Sequence, residues 1–271
     1  MDQEILTALS SGDIETRLAA IGRAAENPTE AVVSRLAELI ENPDEGEPLR
    51  QAAAESLGRS LDRLGMEVLL RLLESSDPHE RTLAAIGLVS SRRPEGIVPL
   101  VRALRDPVNT VRNAAERALI EQIDLVRTHG VEPLLELLSD PAPLTRSPAA
   151  RLIGLSRDPR GLPPLLSIVR SDRQWLARLW ATKALGDLGF AEAADALHDR
   201  LDHDGKNRVR AAAAESIGRL RPPKGEAWLL HALEHDDDGG VRKLAAEALR
   251  LYGIDVPEAD QDDLLDDLAG E

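Results

Sequence analysis

The chain has 271 residues, and 42% of them are hydrophobic, enough to bury the core of one large domain or two ordinary ones. Only 2% are aromatic while Ala, Leu, Arg and Glu abound, which argues against a large β-sandwich or barrel and favours helices. The absence of cysteine excludes disulfides, thiolate catalysis and cysteine zinc sites, and a formal charge of −15 is a poor match to nucleic acid, where phosphate contact dominates affinity.

At the start of the chain, MDQEILTALS is acidic and has no basic segment ahead of an apolar stretch, so it does not read as a secretory signal. No apolar run approaches the ~18 residues of a membrane span. The expectation is a soluble, cytoplasmic protein without membrane contact. Arginine far outnumbers lysine, which is compatible with a halophilic source or with GC-rich coding.

From the N-terminus onward, one helical pattern recurs. Eight segments align on an arginine: TRLAAIGRAA, LRQAAAESLG, ERTLAAIGLV, VRNAAERALI, TRSPAARLIG, ARLWATKALG, VRAAAAESIG and VRKLAAEALR. The arginines are Arg17, Arg50, Arg81, Arg112, Arg146, Arg178, Arg210 and Arg242, giving a mean period near 32 residues. Three residues after each lies an alanine, and seven after lies Leu or Ile in all but the first, where Ala24 stands. Positions +3 and +7 share a helix face, so a small residue admits a neighbouring helix and the aliphatic side chain fills the space beyond it. Six residues before the arginine, Asp44, Asp106, Asp140, Asp172, Asp204 and Asp236 mark a turn. Ser11 and Ser75 hold that place in the first and third units, with Asp13 and Asp77 two residues later. A second helical pattern precedes each turn, as in GIVPLVRALRD, VEPLLELLSD and GEAWLLHALEHD. Each unit is therefore a helix A, an Asp turn and a helix B. Such a hairpin buries its faces only by stacking on its neighbours.

The turn aspartate, the arginine six residues later and the VRAAAAESIG helix resemble HEAT repeats, most closely the short HEAT-like repeats of the phycobilisome-lyase type. The resemblance covers residues 1–253 and implies an all-α fold, an α-solenoid or right-handed superhelix of about eight two-helix repeats. Residues 254–271 are left as an acidic tail. In the fifth unit, Ser147 reads as an N-cap with Pro148 at the first helical position, so helix B there is expected to start late.

Three polar features carry candidate chemistry. The Asp–Arg pairs (Asp44, Asp106, Asp140, Asp172, Asp204 and Asp236 with Arg50, Arg112, Arg146, Arg178, Arg210 and Arg242) read as structural. Each aspartate would accept backbone N–H groups at the start of helix B, and its arginine would bridge to a turn aspartate. Five residues after the arginine, the exposed ridge of helix B carries Arg117, Arg151 and Lys183 in three successive units, with Trp175 and Trp180 on the helix of Lys183. This row, on the face the resemblance makes concave, is the candidate partner-binding site, suited to an acidic segment of another protein. His203, His231, His235 and Asp199 form a weaker candidate for a metal, and no metal site is assigned there. No catalytic constellation or phosphate loop is present, and no cofactor is implied by the residues.

The expected function is a non-enzymatic protein-interaction scaffold or adaptor. The resemblance also implies two rivals: tetrapyrrole attachment or detachment of the phycobilin-lyase kind, and the DNA-glycosylase activity of some HEAT-like proteins. The segment DQDDLLDDLAGE alternates acids with Leu264, Leu265 and Leu268 and reads as a docking segment or a solubilising tail.

Overall fold

The computed structural model describes residues 2–60 and 63–256. Among them every regular element is helical. The chain divides into two compact units, Met1–Pro133 and Leu134–Glu271.

In the first unit, helix A and helix B alternate as α1 (Asp2–Leu9) and α2 (Ile14–Ala24), α3 (Glu30–Glu41) and α4 (Glu47–Arg59), α5 (Arg63–Leu73) and α6 (Pro78–Ser91), α7 (Ile97–Ala103) and α8 (Asn109–Glu121), followed by α9 (Ile123–His129). Next in sequence come α10 (Val131–Leu137) and α11 (Pro143–Ser156). The second unit continues with α12 (Leu162–Ser171) and α13 (Trp175–Leu188), α14 (Ala194–His203) and α15 (Asn207–Leu220), α16 (Gly225–His235) and α17 (Gly239–Leu251). Within each unit like helices pack on like. α2, α4, α6 and α8 form one layer and α1, α3, α5 and α7 the other, while α11, α13, α15 and α17 lie against α12, α14 and α16. Two layers of stacked hairpins make an α-solenoid.

The repeated small residues are the reason the layers close. All eight +3 alanines, from Ala20 to Ala245, are fully buried, and Leu57, Leu88, Leu119, Ile153, Leu185, Ile217 and Leu249 at +7 are buried with them. Each such aliphatic side chain contributes roughly 1.5–3 kcal/mol on burial. A further small position lies at +8. A Cβ added at Gly154 would stand 2.7 Å from the Ala184 backbone, at Gly186 2.7 Å from Ser216 Cβ, and at Gly218 2.7 Å from Ala248 Cβ. Glycine there lets consecutive B helices approach more closely than any side chain would allow.

Two local features differ from the sequence-based expectation. First, α11 begins at Pro143, not after Ser147, and Pro148 lies inside it. Ser147 is no N-cap; its hydroxyl donates to the Pro143 carbonyl at 3.0 Å. Pro143 supplies the helix start, and the carbonyl that Pro148 leaves without a donor belongs to Leu144, a residue 55% exposed, where water can satisfy it.

Second, α9 is an additional helix. Eleven residues after the repeat arginine, the chain leaves helix B through the left-handed region at Arg92, Arg157, Gly189, Arg221 and Gly253. The same position after Arg112 is Ile123, and a β-branched residue resists that conformation. Instead α8 ends at Gln122 (φ −113°, ψ 32°) and α9 begins at once. The buried Gln122 side chain secures the junction, donating to the Leu88 carbonyl at 3.1 Å.

Candidate functional site

The turn aspartates and helix-B arginines form a ladder. Asp106, Asp140, Asp172, Asp204 and Asp236 each accept, at 2.8–3.0 Å, the backbone N–H two residues on, which fixes the turn ahead of helix B. Arg112, Arg146, Arg178, Arg210 and Arg242 each donate to the main-chain carbonyl of their own turn aspartate. The rest of the guanidinium reaches forward. Arg81 meets Asp106 at 2.7 and 3.0 Å, Arg146 meets Asp172 at 2.7 and 2.8 Å, Arg178 meets Asp204 at 2.7 and 2.9 Å, and Arg210 meets Asp236 at 2.8 and 2.9 Å. These are bidentate, charge-assisted pairs. Burial pushes the Asp106, Asp204 and Asp236 carboxyls up, but the facing guanidinium and the backbone N–H outweigh it and hold all three below the ordinary carboxylate range. Such groups are fixed in the charged state and fully engaged, so they offer neither an acid nor a base.

The second unit of the repeat departs from this scheme. Asp44 is exposed, its N–H bonds to Asn42 Oδ1 at 3.0 Å, and the carboxylate that meets Arg17 at 2.6 Å belongs to Glu45. Asp44 is therefore not the rung its alignment suggests, because the turn between α3 and α4 is built by Asn42. Arg50 is buried, donates to the Ile40 carbonyl at 2.8 Å, and leaves its Nη2 without a partner among the described residues. The position that would supply its carboxylate is Ser75.

The helix-B ridge holds the candidate binding residues, and the structure sorts them into separate groups. Arg117 lies in the first unit, highly exposed, and pairs with Glu121 at 2.7 Å. In the second unit, the Arg151 guanidinium sits 4.8 Å from the Trp180 ring centroid and the Lys183 ammonium 5.9 Å from the same ring. Trp180 is half-buried, so its ring is a partly open ledge beside two cations. Trp175, at the start of α13, is set apart from this ledge and takes the Arg208 guanidinium at 5.9 Å.

The ridge continues through the next +5 residue, Glu215, and through two residues that repeat alignment alone does not single out. Lys183 faces Glu215 at 3.3 Å, and Arg219 bridges Glu215 and Asp187, at 2.5 Å each. Glu215 is the +5 residue of its repeat, while Asp187 and Arg219 lie one turn further along at +9. The signal was present as a second charged row on the same face, but pairing between neighbouring helices becomes visible only with the helices side by side.

The histidine candidates do not assemble into a metal site. His203 Nδ1 lies 3.4 Å from Asp199, and the His231 and His235 rings stack on each other at 4.6 Å. His203, His231 and His235 share the lining of a cavity of about 240 Å³ with Asp202 and Asp236. Among the described residues no group of three or more His, Cys, Asp or Glu side chains is placed to hold a metal ion. No described helix is long and apolar enough to cross a membrane. Residues 257–271, the greater part of the acidic docking segment expected at 254–271, lie outside the described residues.

Comparison with known proteins bears on the fold. The family model for HEAT repeats matches residues 47–120, 131–218 and 197–271. Among solved structures, Kap95p in its structure with RanGDP aligns over 96% of this chain and 41% of its own, with a TM-score of 0.65 and 14% identity. YibA of E. coli aligns over 94% and 93%, with a TM-score of 0.52 and 19% identity. The CpcE–CpcF complex of phycocyanin lyase from a Nostoc species aligns over 93% and 94%, with a TM-score of 0.38 and 21% identity. No curated protein matches the sequence.

Proposed function

The chain belongs to the HEAT-repeat family, and on that premise we propose that it is a non-enzymatic scaffold that holds a partner protein on the helix-B face of its second unit. The observation that carries this reading is the Arg151–Trp180–Lys183 ledge, an aromatic ring left partly open between two cations on a ridge of stacked helices. Aromatic and arginine side chains of this kind dominate the energetics of protein interfaces. The polar groups of the ladder are buried in the fold, whereas the ion pairs of the ridge lie at the surface, where each is individually weak. Kap95p, a structural neighbour of low identity, binds RanGDP, a precedent that supports such a role.

The partner would present an acidic segment with an apolar residue for the Trp180 ring. The test is affinity capture from native cell extract with the wild type and with the Lys183→Glu, Arg151→Glu double variant. The expected result is loss of the captured protein at an unchanged melting temperature. A double variant that retains the same partner at wild-type yield removes the ledge from the interface.

A further inference from the structure

Beyond the ledge, we infer that the second unit has another contact surface, on the turns that launch α11, α13 and α15, and that it binds a short acidic peptide segment with an apolar residue at one end. The pattern starts in the sequence. Between each turn aspartate and its arginine the second unit reads DPAPLT (140–145), DRQWLA (172–177), DGKNRV (204–209) and DDDGGV (236–241). Of the eight such intervals along the chain, 172–177 and 204–209 are the ones that hold Lys or Arg. Arg173, Lys206 and Arg208 thus concentrate positive charge on two successive turns of a chain whose net charge is −15.

All three cations are exposed, and none has a carboxylate partner among the described residues. The ridge differs, because Lys183 faces Glu215 and Arg219 bridges Glu215 and Asp187. The turn aspartates beside the three, Asp172 and Asp204, are already held by Arg146 and Arg178. The Arg208 guanidinium lies 5.9 Å from the centroid of the half-buried Trp175 ring. On the preceding turn Leu144 is largely exposed, and on the following turn stand Asp237 and Asp238. Since α11 packs on α13 and α13 on α15, these turns succeed one another at steps of about 8–10 Å. The surface therefore runs from an apolar place, Leu144, past Trp175 to a cationic one, over roughly 20 Å. About six extended residues cover that distance. Guanidinium groups without a partner select carboxylates, which they can take through paired N–H donors. Duplex nucleic acid fits less well. Its backbone carries a charge every ~1.7 Å and would continue beyond α15 onto Asp237 and Asp238.

The probe is a fluorescein-labelled synthetic peptide of two leucines followed by six glutamates, titrated with the full chain and followed by anisotropy. Saturable binding is expected, weakening several-fold as salt rises. The Arg173→Gln, Lys206→Gln, Arg208→Gln variant should bind at least fivefold more weakly at an unchanged melting temperature, because all three side chains are exposed. Lys206→Gln alone, which removes a side chain without an ion-pair partner among the described residues, should move affinity in the same direction and guards against a misfolded triple variant. Leu144→Ser should weaken the peptide and leave a leucine-free hexaglutamate unaffected. Absence of saturable binding, affinity indifferent to the triple substitution, or a short DNA duplex bound more tightly than the peptide and lost in the same variant would each overturn the inference. The ledge is tested separately by Lys183→Glu, Arg151→Glu, which should retain the peptide. A peptide lost there and kept by the triple variant overturns the turn surface while supporting the ledge.

Discussion

Arg178 binds the Asp204 carboxylate through two N–H donors at 2.7 and 2.9 Å, and the same carboxylate accepts the Lys206 backbone N–H at 3.0 Å. One side chain thus ties helix α13 to the turn that launches α15. The Asp204 side chain is fully buried. Asp204→Ala leaves the half-buried Arg178 guanidinium without its carboxylate and should cost about 3 kcal/mol, the low end for a broken buried pair. Asp44→Ala, at an exposed position outside the ladder, should stay within about 0.5 kcal/mol of wild type. Denaturant titration of the two variants measures the contrast, and equal losses would show that alignment rather than geometry defines the rung.

The ladder also fixes a direction of pH dependence. Asp106, Asp204 and Asp236 titrate below an ordinary aspartate in the folded chain. Their contribution is therefore present above the unfolded-state value of about 4, and is lost as pH falls through the depressed folded values. Stability followed by circular dichroism should decline below about pH 4. Asp236→Asn should be less stable at pH 7 and show a shallower acid slope.

Arg50 is a buried guanidinium with an unsatisfied nitrogen, and the turn facing it offers Ser75 where other turns offer aspartate. Ser75→Asp should complete the missing rung. An increase in melting temperature corresponding to about 1.5–3 kcal/mol is expected, the net worth of a charged hydrogen bond. The gain should vanish in an Arg50→Met background, and its persistence there would assign it to capping of α6 instead.

Glycines in B helices divide by what surrounds them. At Gly218, Ala248 and Leu251 lie within 2.7–3.3 Å of the point a Cβ would occupy, whereas at Gly22 on α2 nothing lies within 4 Å of it. Gly218→Ala should destabilise by about 1–3 kcal/mol through forced separation of α15 and α17. Gly22→Ala should stabilise by roughly 0.5–1 kcal/mol through helix propensity alone. Thermal melts of the two variants give the comparison, and a shift of the same sign in both would count against close helix approach as the reason for Gly218.

Arg92 and Arg157 close helices in the left-handed region, at φ 46° and 57°, where Gly189 and Gly253 do the same without strain. Arg157→Gly should raise stability by up to about 1 kcal/mol, the strain relieved less the added freedom of the unfolded chain. A neutral or negative change in melting temperature would place the value of Arg157 in its side chain.

The repeat was legible because it is written eight times. The +3 alanine, the +7 aliphatic and the Asp–Arg spacing each stand out against otherwise divergent units, and together they dictate a stack of helical hairpins. Single-copy decisions were harder to read. Pro148 is tolerated inside α11 because the carbonyl it strands sits on an exposed residue, and Asn42 displaces Asp44 from its turn through one side-chain hydrogen bond. Ile123 converts a tight exit into an extra helix by refusing one backbone conformation. The candidate ridge was legible as three cations and two tryptophans. The Arg151–Trp180 and Arg208–Trp175 contacts were not, because they lie between neighbouring helices rather than along one.

The aromatic residues give the two units different optical identities. Trp175, Trp180, Trp228, Phe190 and Tyr252, the whole aromatic complement, all fall within Leu134–Glu271. Intrinsic fluorescence therefore reports on that unit directly and is blind to Met1–Pro133, whereas far-ultraviolet dichroism weighs the helices of both. Recording the two signals on one sample turns an ordinary melting curve into a measure of whether the halves of the molecule fall together or in sequence, with no label added.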